Sequence, residues 1–264
     1  LDDTVAGTGA TALALQLSVS GNAGGGVSGS GSLKLLQVTS STDQTWLGVE
    51  ATELNFALDF APVALAVTNG TLALNQAPVN GAKLDWAAIT ADDDNAINGY
   101  QNAAGFTFEL SVLEAVSLSV SGDASINFDD LLTVDGNFVL EQIDLDDTVA
   151  GTGATALALQ LSVSGNAGGG VSGSGSLKLL QVTSSTDQTW LGVEATELDF
   201  ALDFAPVALA VTNGTLAMNQ APVNTAKLDW ATITADGNSA GFTFELNVLE
   251  AVSLSVSGDA SINF

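Results

Sequence analysis

The stretch LDDTVAGTGATALALQLSVSGNAGGGVSGSGSLKLLQVTSSTDQTWLGVEATEL runs from Leu1 to Leu54 and returns unchanged from Leu145 to Leu198. A unit written twice has to fold twice in compatible settings, so the repetition limits the architecture more than any local pattern does. A second stretch, EAVSLSVSGDASINF, occupies 114–128 and again 250–264. The first copy therefore spans 1–144 and the second 145–264. Outside one loop the copies differ at Asn55/Asp199, Leu74/Met218, Gly81/Thr225, Ala88/Thr232 and Ser111/Asn247. In that loop ADDDNAINGYQNAAGF at 91–106 shortens to ADGNSAGF at 235–242, which predicts a surface position, where changes of length cost little closure entropy. The joining segment DDLLTVDGNFVLEQID at 129–144 is written once. This predicts a window on a longer tandem array, in which an incomplete copy offers an unpaired strand edge to its neighbour.

Within 114–128, Val116, Leu118, Val120, Gly122, Ala124, Ile126 and Phe128 alternate with Ser117, Ser119, Ser121, Asp123, Ser125 and Asn127. Period two predicts a strand with a buried apolar face and a wet polar one. The parity extends back through Phe106, Phe108, Leu110 and Val112 and breaks at Glu114, which predicts a bend there, between two strands or within one long one. The same alternation marks Leu157, Leu159, Leu161 and Val163, then Val134, Phe138 and Leu140, and Leu54, Phe56, Leu58 and Phe60. TVDGN at 133–137 and VTNGT at 67–71 read either as hairpin turns or as glycines inside long strands. No segment shows a capped helical period. The chain is expected to be all-β, with ~7–9 strands per copy. The expected architecture is tandem copies of an antiparallel β-sandwich or flattened barrel with long strands, stacked into a rod, with a continuous β-solenoid as the alternative. With 16 aromatic residues in 264, a thin and tightly packed core is expected rather than a ligand cavity.

Composition narrows the chemistry. There is no Cys, His or Arg, and the cations are Lys34, Lys83, Lys178 and Lys227 against 30 carboxylates. Thiolate chemistry, Ser-His nucleophiles and Cys/His zinc sites are excluded. A net charge of −26 speaks against nucleic acid, whose phosphates need Lys and Arg, and against an anionic membrane surface. No run reaches the ~18 apolar residues of a membrane helix. Alternating strands also suit a transmembrane barrel, but the aromatic girdles are missing, with a single Tyr100, and tandem copies of a barrel are hard to reconcile with closure, so no membrane insertion is expected.

Candidate sites are few. Asp129, Asp130, Asp144, Asp146 and Asp147 surround the joining segment and form the best candidate for Ca2+, which takes six to eight oxygen ligands. The loop ADDDNAING at 91–99 is a weaker candidate, since it lacks EF-hand spacing and the second copy keeps only Asp236 of its acidic run. Glu50 with Glu53, or Glu109 with Glu114, could flank a glycosidic bond, yet they lie in alternating segments without a sugar-stacking cluster, so no enzyme is expected. Trp46, Trp86, Trp190 and Trp230 read as core residues or as a platform for surface glycans. The glycine runs at 21–32 and 165–176 lack the Gly-Lys-Ser/Thr ending of a phosphate loop.

With its tandem copies, acidity, absence of cysteine and strands such as VSLSVSGDASINF and LLTVDGNFVLEQ, the chain resembles the repeat regions of giant secreted bacterial surface proteins, of adhesin or extracellular-filament type. That resemblance implies an extracellular or cell-surface location and a structural task in spacing, adhesion or matrix assembly. The expected partners are other copies of the repeat; the alternative is a calcium- or carbohydrate-binding β module.

Overall fold

A computed structural model describes residues 10–263 apart from 80, 87–108, 129–130, 146–149, 152, 169, 205 and 235–244. The chain is all-β. Its strands are β1 (Thr11–Gly24), β2 (Val27–Thr39), β3 (Thr45–Phe60), β4 (Val63–Gln76), β5 (Val116–Phe128) and β6 (Leu132–Asp144). The second copy supplies β7 (Thr155–Ala167), β8 (Val171–Thr183), β9 (Thr189–Phe204), β10 (Val207–Gln220) and β11 (Leu254–Asn263), with one helical turn, α1, at Trp230–Ile233. Each strand pairs with the one before it, so the eleven form one open antiparallel sheet in chain order. The ladders are long because VTNGT and TVDGN continue β4 and β6 instead of turning. The first copy accordingly contributes six described strands, fewer than the spacing of turn signals predicts.

Several irregularities interrupt the ladders of the first copy, two of them bulges where Glu53 and Asn69 take positive φ (55° and 53°). Glycine at 70 is required there, because a Cβ would stand 2.8 Å from the Leu54 carbonyl oxygen of the adjoining strand. Asn69 tolerates its left-handed backbone and donates its side-chain amide to Asp123 Oδ2 at 2.8 Å.

Register fixes the two faces, since residues directly opposite on neighbouring strands point the same way. One row, Leu17, Leu33, Ala51, Leu72, Val120, Leu140, Leu159, Leu179, Val193, Met218 and Leu254, crosses all eleven strands. The other face carries Ala14, Leu36, Gly48 and Asn75 in one such row, with mostly Ser, Asp and Asn nearer the β1–β2 and β5–β6 turns. Grouping by parity is thus as the sequence predicts. Coverage is not.

The buried core lies on the small-residue face, at one end of the strands. Between β4 and β5 the chain folds back as a cap. Trp86, Leu110 and Val112 of this cap pack on Leu36, Val38 and Trp46, with Ala12, Ala14 and Ala73 beneath. In the second copy Trp230, Leu246 and Val248 pack on Ala156, Ala158, Leu180, Val182 and Trp190. By contrast Ile126 and Phe128, expected in the core, are 44% and 42% exposed, and Leu118 and Val120 are half-buried. Ser117, Ser119 and Asn127, expected to be wet, are half-buried too. The reason is steric: the cap brings its own bulky side chains and needs alanine and glycine beneath them. The described part of the segment before Glu114 belongs to this cap and not to a strand: Leu110 and Val112 alternate inward and are 2% exposed.

A Cβ on Gly48 would lie 2.7 Å from the Trp86 ring. Gly48→Val should therefore unseat the cap of the first copy, at a cost of about 1–3 kcal/mol of overpacking. The readout is a red-shifted tryptophan emission with a lowered denaturation midpoint; unchanged emission would contradict this packing.

Candidate functional site

The polar groups converge where each cap meets the sheet. Asn75, 2% exposed, donates its amide to the Leu84 carbonyl at 2.7 Å and the Leu113 carbonyl at 3.0 Å, while its oxygen accepts from Trp86 Nε1 at 2.9 Å. It thus ties the start and the end of the cap to β4. Asn219 repeats this with Leu228, Leu249 and Trp230. Trp46 Nε1 donates to the Ala82 carbonyl, and Trp190 Nε1 to that of Ala226. Each of the four indoles is buried with its N–H satisfied, so none presents a ring to a sugar. The platform reading of these tryptophans is overturned.

The four lysines hold the caps as well. Lys34 donates to the Glu109 carbonyl at 2.9 Å and stands 3.5 Å from Glu50 Oε1, while Glu50 Oε2 accepts from the Ser111 backbone N–H at 2.5 Å. Lys178, Glu194, Glu245 and Asn247 repeat the clamp. Glu50 is therefore occupied in fastening the cap, and Glu53 sits at a bulge.

Lys83 reaches across to the joining strand. It pairs with Asp144 Oδ2 at 2.6 Å and donates to Ser117 Oγ, which itself donates to Asp144 Oδ1 at 3.3 Å. The end of β6 is thereby tied to the first cap. Its counterpart Lys227 donates instead to the Val252 carbonyl at 2.9 Å and to Ser253 Oγ at 2.5 Å, and the sequence holds no second counterpart of Asp144. Nothing in the periodicity singles out Asn75 or Lys83. The usable signal was scarcity, since four cations among 30 carboxylates are placed where each has a fixed acceptor.

Of the calcium candidates, Asp144 is engaged by Lys83 and Ser117; Asp129, Asp130, Asp146 and Asp147, like the 91–99 loop, lie outside the described residues. Among the described residues no three acidic side chains are grouped to hold a metal ion. Open grooves run along the small-residue face. One is lined from Ala66 and Thr68 on β4 through Asp123, Asp135 and Ser162 to Glu197 on β9; another reaches from Thr133 on β6 to Thr212 on β10. A groove walled by six consecutive strands means that the sheet curls toward this face and is convex on the Leu/Val/Phe side.

Protein-family models, curated proteins and solved structures contain no match to this chain.

Proposed function

We propose that the chain is a structural, non-enzymatic repeat of a bacterial extracellular or cell-surface assembly, in which successive repeats build one continuous sheet by strand pairing. The observation that carries this is β6. It pairs with β5 on one side and, in an unbroken register from Leu132↔Ala167 to Asp144↔Thr155, with β7 of the next copy on the other. The joining segment is a shared strand rather than a linker, and the finer arrangement we favour extends this sheet strand by strand.

The outermost of the described strands support the same reading. β11 repeats the sequence of β5, whose outer edge takes β6, and β1 repeats β7, whose outer edge takes the other side of β6. A β6-type strand would meet on β11 the same backbone groups it meets on β5, and Lys227 where it meets Lys83. One such strand can bridge β11 of one molecule to β1 of the next.

The test adds a synthetic peptide of residues 131–145 to the chain in a nonionic detergent, so that contacts between apolar faces do not contribute. The expected result is end-to-end assembly of rising molar mass in sedimentation, weakened when Asp144 of the peptide becomes Lys and abolished when its Val139 becomes Pro. A molar mass indifferent to the peptide would defeat the proposal.

A further inference from the structure

The Leu/Val/Phe face has no cover among the described residues, and it is not a scattering of single hydrophobic residues. Leu13 is 61% exposed, Phe60 54%, Leu17 47% and Leu157 40%, and the apolar row continues across all eleven strands. Patches of this extent mark a surface built to be covered.

Four features say by what. First, among the described residues the face carries no charge between its two ends. Along β6 it reads Leu132, Val134, Gly136, Phe138 and Leu140, and the next residue on this face is Gln142, opposite Leu157. From Leu132 to Leu140 the strand runs nine residues, at the short end of the ~9–11 that a tilted strand needs to cross the hydrocarbon of a membrane. Second, the face is convex, whereas the opposite face is concave and lined by residues such as Asp123, Asp135 and Ser162. Two convex sheets meet along a line and leave most of their apolar area wet, while fluid acyl chains follow the curve. Third, connections at one end are short, at 25–26, 61–62, 129–131, 168–170 and 205–206, and at the other they include the long segments 77–115 and 221–253, whose described parts form the caps. That asymmetry is usual in membrane barrels. Fourth, exposed Phe60 and Phe128 on this face lie beside the short connections, where an aromatic side chain would meet the headgroup level.

We propose that the convex face is lipid-facing: the sheet forms part of the wall of a membrane-embedded β structure, with its concave Ser/Asp face toward water. This departs from the expectation of no membrane insertion, which rests on net charge, the missing aromatic girdles and the difficulty of closing tandem barrels. Among the described residues no helix is long and apolar enough to cross a membrane, so the contact is made by strands. A sheet in hydrocarbon cannot leave its edges unpaired. With eleven strands β1 and β11 run parallel; one more strand of the β6 type makes the number even and lies antiparallel to both.

The experiment uses the full chain and phosphatidylcholine vesicles. The unmodified protein should float with the vesicles. Because the chain lacks cysteine, single labels can be read without background. Spin labels at Leu140→Cys and Leu159→Cys should collide several-fold more often with oxygen than with a water-soluble nickel chelate, and labels at Asn137→Cys and Ser162→Cys should show the reverse. Two outcomes overturn the proposal: unmodified protein that stays in the aqueous layer, or labels on both faces equally open to nickel. A water-soluble dimer whose 140 and 159 labels are shielded from both reagents overturns it too, since a second copy would then be the cover. Edge pairing is read separately by the 131–145 peptide, so either result can fail alone.

Discussion

Val139→Pro should be the most disruptive single substitution within the strands, costing about 3 kcal/mol or more and uncoupling the two copies. β6 is an inner strand, with Val139 opposite Ser121 on β5 and Gln160 on β7. Whichever neighbour receives its backbone N–H, proline removes that bond, and the ring also fixes φ away from the extended value. Unfolding should change from one transition to two, because the ladder through β6 is what joins β1–β5 to β7–β11. β11 provides the contrast. Its outer edge faces no described strand, so every second residue directs its N–H away from β10, and prolines scanned along 254–263 should be tolerated at alternate positions. Hydrogen exchange and denaturant titration check both statements. A Val139→Pro chain that still melts as one unit would show that coupling does not pass through β6.

Much of this was legible in the sequence and some was not, for physical reasons. Period-two alternation placed Leu118, Val120, Ile126 and Phe128 on one face, because parity is a property of the pleat itself. Which face becomes the core depends on where the 77–115 segment lands, and no alternation within β5 carries that information. The signals lay elsewhere, in Gly48 and Gly192 at the places where Trp86 and Trp230 sit, and in Asn75 and Asn219 within otherwise apolar strands. Leu110 and Val112 alternate like a strand while serving as cap. The glycines of TVDGN and VTNGT looked as much like turns as like strand, and only long-range pairing decides between the two. The acidic cluster at the junction was visible, but the role of Asp144 depends on Lys83, 61 positions earlier, which spacing could not bring to it.

Asn75→Ala should release the first cap while leaving the second in place. The side chain is buried and makes three hydrogen bonds that run in different directions: to Leu84 near the start of the cap, to Leu113 near its end and from the Trp86 indole between them. Alanine strands two carbonyls and an indole N–H away from water, and each such buried group costs about 1–3 kcal/mol. The loss should therefore exceed that of an ordinary cavity mutation of similar volume, and Trp86 should become quenchable by iodide. Asn75→Asp tests the direction of the bonds. It keeps the acceptor for Trp86 Nε1 but has no amide to give Leu84 and Leu113, and it buries a carboxylate among their carbonyls, so it should be no better than alanine. Asn75→Gln retains all the groups on a longer arm and should be intermediate. Because Asn219 builds an identical hub on separate residues, the effects of Asn75→Ala and Asn219→Ala should add within ~0.5 kcal/mol. A double variant less destabilised than that sum would mean that the two caps lean on each other, and a stable, unquenchable Asn75→Ala chain would mean that apolar packing of Trp86, Leu110 and Val112 is sufficient to hold the cap.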